Sequence, residues 1–208
     1  MYMTRIALRR LPAPNTIHGL MSAAFPGKRN ETKNENLWRT DDLGNLYALI
    51  IVSADMPEIK KIVGMIGADK LNLPDGNENN KPNKTVDYEP FLNNIKNGQI
   101  WNFRLRANPI EHKKQNNTDK RGKIFAFIKV EDQIEWLKKQ GIKNGFILNS
   151  CYVLNDSWIE FEKVCILSVT FEGILTITDE HAFKKVLTDG VGRGKAYGCG
   201  LLTVAAVT

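Results

Sequence analysis

The 208-residue sequence predicts an α+β protein made of two βαββαβ units in tandem, and three observations carry that prediction. Helix-patterned segments are separated by pairs of strand-patterned segments, whereas a doubly wound parallel sheet would alternate single strands with helices. The same order of elements occurs twice. Between the two runs, residues 71–90 are rich in Asn, Asp, Lys and Pro and carry little apolar periodicity. That break sets a boundary near residues 90–98 and gives units of 1–92 and 98–208.

In the first unit, residues 2–9 alternate around Ile6 and Leu8 as a strand does. Pro12 and Pro14 interrupt it. Residues 16–25 then place Ile17, Leu20, Met21 and Ala24 on one helical face, with Asn15 or Thr16 as N-cap and the Pro-Gly pair at 26–27 as the stop. Residues 36–40 and 46–53 read as two strands joined by a turn over 41–45 that contains Gly44. A helix over 56–67 follows, with Ile59, Ile62, Val63 and Ile66 at helical spacing and Pro57 in its first turn. Only a short edge strand near 85–88 is expected to complete the unit.

The second unit opens with a strand over 99–108, where Ile100, Phe103, Leu105 and Ala107 alternate with Asn102, Arg104, Arg106 and Asn108. After a basic loop comes an apolar stretch at 123–130. A helix over 131–140 carries Ile134, Trp136 and Leu137, and Gly141 closes it. Strands over 145–154 and 163–178 precede a helix capped by Asp179, bearing Ala182, Phe183, Val186 and Leu187 and ending at Gly190. A last strand spans 201–207. Each unit therefore has the ferredoxin-like, or RRM-like, order, and the pair gives two antiparallel sheets with a cleft between them.

Charge narrows the function. The formal net charge is +6, and much of it lies between residues 104 and 123. Arg104, Arg106, Lys113, Lys114, Lys120, Arg121 and Lys123 stand there against only Glu111 and Asp119. A clustered basic run is the electrostatic footprint of a nucleic-acid binder, although a solvated loop has the same composition. The three cysteines, Cys151, Cys165 and Cys199, are odd in number and lack CxxC spacing. That argues against a disulfide framework or zinc site and fits reduced thiols in a cytoplasm. Arg5, Arg9 and Arg10 break the apolar character of the first residues, so no signal peptide is read there. No apolar run reaches membrane-spanning length, and no membrane partner is expected.

Two features bear on chemistry. Residues 189–202 read DGVGRGKAYGCGLL, with five glycines around Arg193 and Lys195. Such a segment lets backbone approach a ligand closely. It is not a nucleotide P-loop: the spacing is one residue short, Ala196 stands where Ser or Thr is needed, and the flanking elements come in the wrong order. A tight helix-to-strand turn would need fewer glycines, so the excess points to backbone amides and two cations facing phosphate. The second feature is His18, in the first helix after a proline-broken loop. Cleavage of RNA by its own 2′-OH needs one proton removed and one delivered, and an imidazole does either near neutrality. A lone His is also a common structural residue. His112 and His181 have no metal-ligand partners at suitable spacing, and no carboxylate cluster suits two-metal chemistry, so neither a metal nor another cofactor is expected.

Taken together, the opening MYMTRIALRR, the segment TIHGLMSAAFPGKR, the strand WNFRLRANPI, the segment FEGILTITD and the ending GVGRGKAYGCGLLTVA resemble the CasE family, the CRISPR RNA-processing endoribonucleases of type I-E Cascade complexes. The resemblance spans residues 1 to about 207 and is weak at 30–45 and 71–99. It implies two ferredoxin-like domains that bind the repeat stem-loop and cut at its 3′ base without metal. The implied products carry a 2′,3′-cyclic phosphate and a 5′-OH. The protein is then expected to remain on the mature guide RNA beside the other Cascade subunits, in antiviral defense. His18 falls on the family's catalytic histidine, and the glycine-rich segment on its signature. Arg104 and Arg106 fall on the FRLRANP strand.

One departure stands out. Family members resembling this chain carry Tyr three residues before that histidine, and here the position is Asn15. Asn does not titrate, so the proton partner of His18 stays open, with Tyr197 and Tyr2 as alternatives. Lys163 is the candidate for stabilising charge at phosphorus. The RNA-binding set is Arg104, Arg106, Lys113, Lys114, Lys120, Arg121, Lys123, Arg193 and Lys195. The alternative to an endoribonuclease is a non-catalytic subunit that holds the guide hairpin, and Asn15 is the feature that keeps it open. A ferredoxin-like small-molecule enzyme is a third reading, opposed by the basic cluster and the absence of a cofactor motif.

Overall fold

A computed structural model describes residues 1–25, 36–66, 83–113, 123–161 and 164–207. The chain order is β1 (Tyr2–Leu8), α1 (Pro14–Ala24), β2 (Leu37–Asp42), β3 (Tyr47–Ser53), α2 (Ile59–Ile66) and β4 (Asn83–Asp87). These strands form one antiparallel sheet in the order β2-β3-β1-β4. A short helix α3 (Glu89–Asn93) leads to β5 (Ile100–Ala107), β6 (Ile110–Lys113), β7 (Lys123–Ala126), α4 (Val130–Lys143), β8 (Phe146–Phe161), β9 (Val164–Ile177), α5 (Glu180–Asp189) and β10 (Leu202–Ala206). The second sheet runs β10-β5-β9-β8, again antiparallel, and β6 and β7 form a separate hairpin. Both sheets have the ferredoxin-like strand order, so the fold is two such units in tandem, with the hairpin inserted after the first strand of the second.

Alternation along the strands decides which face each helix covers. Ile6 and Leu8 of β1, with Leu49 and Ile51 of β3, pack under Ile17, Leu20, Met21 and Ala24 of α1 and Ile62 of α2. In the second unit Phe103 and Leu105 of β5, with Val169, Phe171 and Leu175 of β9, pack against Trp136 and Leu137 of α4 and Phe183 and Leu187 of α5. The other face of the first sheet is not left to solvent. Leu37 and Val52 join the second core, as do Tyr88 and Leu92 from the connection, and burial pushes the Tyr88 phenol well above its usual pKa.

Several element boundaries differ from the sequence expectation, each for a local reason. Helix α1 begins at Pro14, with Ala13 at the N-cap and no side-chain cap, because proline's fixed φ suits the first helical position. Asn15 and Thr16 therefore lie inside the helix. Helix α2 starts only at Ile59; Pro57 precedes it, and the Glu58 carbonyl accepts from Lys61 and Ile62. Strand β2 continues through Asp42, so the turn lies beyond it, where Leu43 N–H donates to the Leu46 carbonyl and Gly44 N–H to Asp42 Oδ1. Gly141 does not end α4, which runs on to Lys143. A Cβ at Gly141 would lie 2.7 Å from the Phe146 carbonyl, so glycine is there for close packing. Strand β8 extends to Phe161 through Asn155, Asp156 and Ser157, poor strand formers tolerated because this is an edge strand paired only with β9 and shifted in register after Leu148 and Val153. The expected basic loop is, at both its ends, the β6–β7 hairpin.

Asp179 behaves as read, its carboxylate accepting from the N–H groups of His181 and Ala182. Among the described residues, no helix is long and apolar enough to cross a membrane. The cysteines occupy three environments: Cys165 is exposed, Cys151 half-buried and Cys199 buried. Desolvation pushes the Cys151 thiol up to about 11 despite nearby Lys138, and raises that of Cys199 despite Arg106 and Ser168. A raised thiol pKa means less thiolate, the reactive form, at mildly alkaline pH. Iodoacetamide at pH 8, followed by peptide mapping, is expected to alkylate Cys165 first, with Cys151 and Cys199 modified only on unfolding.

Candidate nucleic-acid interface

The glycine-rich segment begins where α5 ends and is drawn closed at its base. Val191 N–H donates to the Gly200 carbonyl at 2.8 Å, and Gly200 N–H to the Arg106 carbonyl on β5 at 2.6 Å. An isolated bridge ties Arg193 to Asn108. Within the closed segment, Lys195–Tyr197 forms one 3-10 turn between Gly194 and Gly198. All five glycines have positive φ, and at two of them packing demands glycine as well. A Cβ on Gly198 (φ 80°) would lie 2.5 Å from the Trp38 ring, and one on Gly190 (φ 77°) 2.8 Å from Leu37 Cδ2. The glycine excess thus has a physical reason that the sequence did not expose: the segment is pressed against β2 of the first unit. The amides of residues 190, 191 and 197–200 are bonded within the protein, so they are not the phosphate donors expected from glycine content alone.

This packing brings the two units' candidate elements together. The 3-10 turn lies against both α1 and β2, and α1 also meets β8. At the end of β8, Phe161 meets Tyr197 edge-on, with ring centroids 5.1 Å apart. Helix α1, which carries position 18, therefore adjoins the segment bearing Arg193, Lys195 and Tyr197. Arg193 is exposed and Lys195 half-buried. Tyr2 sits at the start of β1, opposite Ser53 and Asp87. Lys163 lies outside the described residues, two positions beyond Phe161.

The basic cluster separates into two groups. Lys113 and Lys123 are opposed in register at the end of the β6–β7 hairpin that leads into its connecting segment, with Lys123 exposed. Lys114, Lys120 and Arg121 fall in the segment between them, outside the described residues. Arg104 and Arg106 are elsewhere, on the face of the second sheet away from its core residues Phe103 and Leu105, and both are engaged within the protein. Arg104 Nε donates to Glu172, and a terminal nitrogen lies 3.6 Å from Asp41. Arg106 Nε donates to Ser168 Oγ at 2.6 Å and a terminal N–H to Thr40 Oγ1 at 3.2 Å. Burial lowers the Arg106 pKa, opposed by Cys199 and Asp41.

Sequence reasoning missed the residue at the centre of this seam. Arg39 of β2 is 2% exposed and reaches across from the first sheet to the second. The signal was present as opposite charges two apart on a strand, Arg39 and Asp41, which alternation puts on one face. Among the described residues, no group of three or more His, Cys, Asp or Glu side chains is gathered to hold a metal ion.

Gly198→Ala is expected to destabilise the fold by about 2–4 kcal/mol, from left-handed backbone strain plus collision with Trp38. Gly64→Ala, in α2 with no atom near the added methyl, is expected to raise stability by up to about 1 kcal/mol. Urea midpoints of the two variants should therefore move in opposite directions.

A family model described as CRISPR associated protein matches residues 1–206. The CRISPR-associated endoribonuclease Cse3 of Thermus thermophilus is 28% identical over 218 aligned residues, covering 97% of this chain and 94% of that protein. The CRISPR system Cascade subunit CasE of Escherichia coli is 34% identical over 113 residues, half of this chain and 56% of that protein. Among solved structures, Thermus thermophilus Cse3 bound to an RNA representing a pre-cleavage complex superposes with a TM-score of 0.74 at 26% identity, over 99% of this chain and 100% of that one. Cas6e from Escherichia coli shares the fold, with a TM-score of 0.64 at 23% identity over the whole of both chains. With two ferredoxin-like sheets joined through the glycine-rich segment, and a match that runs from residue 1 to residue 206, the chain belongs to the CRISPR-associated protein family, alongside Cse3 and CasE.

Proposed function

We propose that this chain is an endoribonuclease that binds the stem-loop of a CRISPR repeat and cuts precursor CRISPR RNA at the 3′ base of that hairpin. It then stays on the mature guide RNA as one subunit of a Cascade complex, in the cytoplasm. The observation that carries the reading is the packing of α1 against the 3-10 turn of the glycine-rich segment, whose Tyr197 meets Phe161 at the end of β8, in a chain related along its length to an endoribonuclease. A cut made between two units, 1–92 and 98–208, requires both to engage one RNA.

The chemistry follows from what RNA supplies. The 2′-OH next to the scissile phosphate loses its proton and its oxygen attacks phosphorus. The bond to the 5′-oxygen breaks, and that oxygen takes up a proton. The products are a 2′,3′-cyclic phosphate and a 5′-OH, and no water enters this step. His18 carries one of the two protons as general base or acid, without a metal ion. Tyr197, in the turn against α1, is the nearby phenol for the second, since Asn15 does not titrate. Lys163 stabilises the negative charge that builds at phosphorus.

Binding rests on shape and phosphate contact, because the deep, narrow major groove of A-form RNA hides base edges. Arg193 and Lys195 take phosphates beside α1. Lys113, Lys114, Lys120, Arg121 and Lys123 take them along the hairpin. Arg104 and Arg106, bonded to Glu172, Ser168 and Thr40, serve the RNA site from behind by holding β5 against β2.

Incubation of the protein with the repeat RNA of its own CRISPR array, in EDTA, is expected to give one cut at the 3′ base of the hairpin. The 5′ fragment should carry a cyclic phosphate by mass spectrometry, and His18→Ala should reduce the cleavage rate at least about 10²-fold with binding retained. Tight binding without product from the unaltered protein would instead establish the non-catalytic hairpin-binding subunit. For binding itself, the logarithm of affinity should fall linearly with the logarithm of salt concentration. Arg193→Ala should shallow that slope by about one phosphate's worth, roughly 0.7–0.9.

A further inference from the structure

We infer that Arg39 is a positioning residue for RNA cleavage: its buried guanidinium fixes β2 against β5 and β10, and through Trp38 holds α1 in place beside the glycine-rich segment. The inference rests on the endoribonuclease reading above and adds to it a residue remote from the proposed chemistry.

Each polar hydrogen of Arg39 has a partner. Nε donates to Asp41 Oδ1 at 2.7 Å and one terminal nitrogen to Asp41 Oδ2 at 2.8 Å, a two-pronged pair within β2. The remaining donors cross to the second unit. They reach the Arg104 carbonyl at 2.8 Å, the Leu201 carbonyl at 3.0 Å and Thr203 Oγ1 at 2.8 Å. Thr203 Oγ1 in turn donates to the Arg104 carbonyl at 3.4 Å. A guanidinium has five N–H groups in a planar fork, and here all five are used. Apolar contact between the units, through Leu37 and Val52, is non-directional and tolerates sliding. The fork does not, because three acceptors, on β5, on β10 and at the residue just before β10, have to coincide with it.

Alternation along β2 then connects this lock to the site. Trp38 and Arg39 are successive residues, so their side chains leave opposite faces of the strand. Arg39 bonds to the second sheet, while Trp38 packs in the α1 core with Ile17, Leu20 and Met21 and lies where a Cβ on Gly198 would fall. A shift of β2 relative to β5 and β10 is therefore a shift of α1 relative to residues 193–197. Misplacement of reacting groups by about 1 Å is enough to lose about 10²-fold in rate.

The test uses Arg39→Lys, Thr203→Val and Thr203→Ser, with enzyme in excess over the repeat hairpin RNA in EDTA. Lysine keeps the charge beside Asp41 but replaces the fork with one nitrogen. Valine removes only the hydroxyl, a change the fold should survive if Arg39→Lys does not. The expected result is a single-turnover rate constant lowered about 10- to 100-fold in Arg39→Lys and about 3- to 10-fold in Thr203→Val. Hairpin affinity should stay within about threefold. Thr203→Ser, which keeps the hydroxyl, should restore the rate. A role in folding alone would lower the fraction of RNA cut in the fast phase and leave its rate constant unchanged, and that outcome overturns the inference. So does an unchanged rate constant in variants that fold. If the unaltered protein does not cut, the endoribonuclease reading itself fails, and this inference fails with it.

Discussion

A charged group buried between two folding units is an unusual place to invest stability, because removing a guanidinium and a carboxylate from water costs several kcal/mol each. Arg39 and Asp41 sit in that position, 3% and 10% exposed at their side chains. The arrangement is tolerable only because every donor on Arg39 meets an acceptor, three of them supplied by the second unit. Breaking a buried pair of this kind typically costs about 3–5 kcal/mol, since the surviving charge is left without compensation. The bonding therefore works as a condition on assembly. Strand β2 is comfortable where the Arg104 and Leu201 carbonyls are in reach, and strained elsewhere.

That condition also settles what happens to the edge of the first sheet. β2 is an edge strand, and edge strands left open are templates for unwanted pairing. Here the open side is covered in two ways. Leu37 joins the second hydrophobic core, and the glycine-rich segment closes over Trp38 and Leu37. The same contact that protects the edge gathers α1, the 3-10 turn and the end of β8 into one region. Architecture and proposed catalysis thus share a single joint.

The joint sorts the chain's cations by task. Arg39 and Arg106 are turned inward and bonded, whereas Arg193 and Lys123 are exposed. Burial lowers the Arg106 pKa, yet a guanidinium begins so high that it stays charged at any physiological pH. Its donors are taken up by the hydroxyls of Thr40 and Ser168, with Asp41 nearby. Arginines in one short strand motif can therefore be bonded within the protein, while Lys123 on the hairpin and Arg193 in the glycine-rich segment are exposed.

Much of the fold was legible in the residues. The repeated βαββαβ order, the apolar faces of α1 and α5 and the Asp179 cap all depend on neighbours three or four positions away, and such information is local. His18, Arg193 and Lys195 were singled out on the same basis, as was the family resemblance. The misreadings were also local in appearance. Gly141 looked like a helix stop until Phe146 was placed against it, and the strand expected to end at residue 154 runs on to Phe161 because β9 pairs with it.

By itself, the sequence determined which segments alternate and which carry charge, because periodicity and composition are properties of the chain. Only the tertiary structure decided that Arg39 and Asp41 join two sheets, that Arg104 and Arg106 are bonded within the protein, and that two of the five glycines are required by packing. Those outcomes depend on partners 62 to 164 positions away in the chain, and no spacing rule within one strand can report a partner brought in by folding.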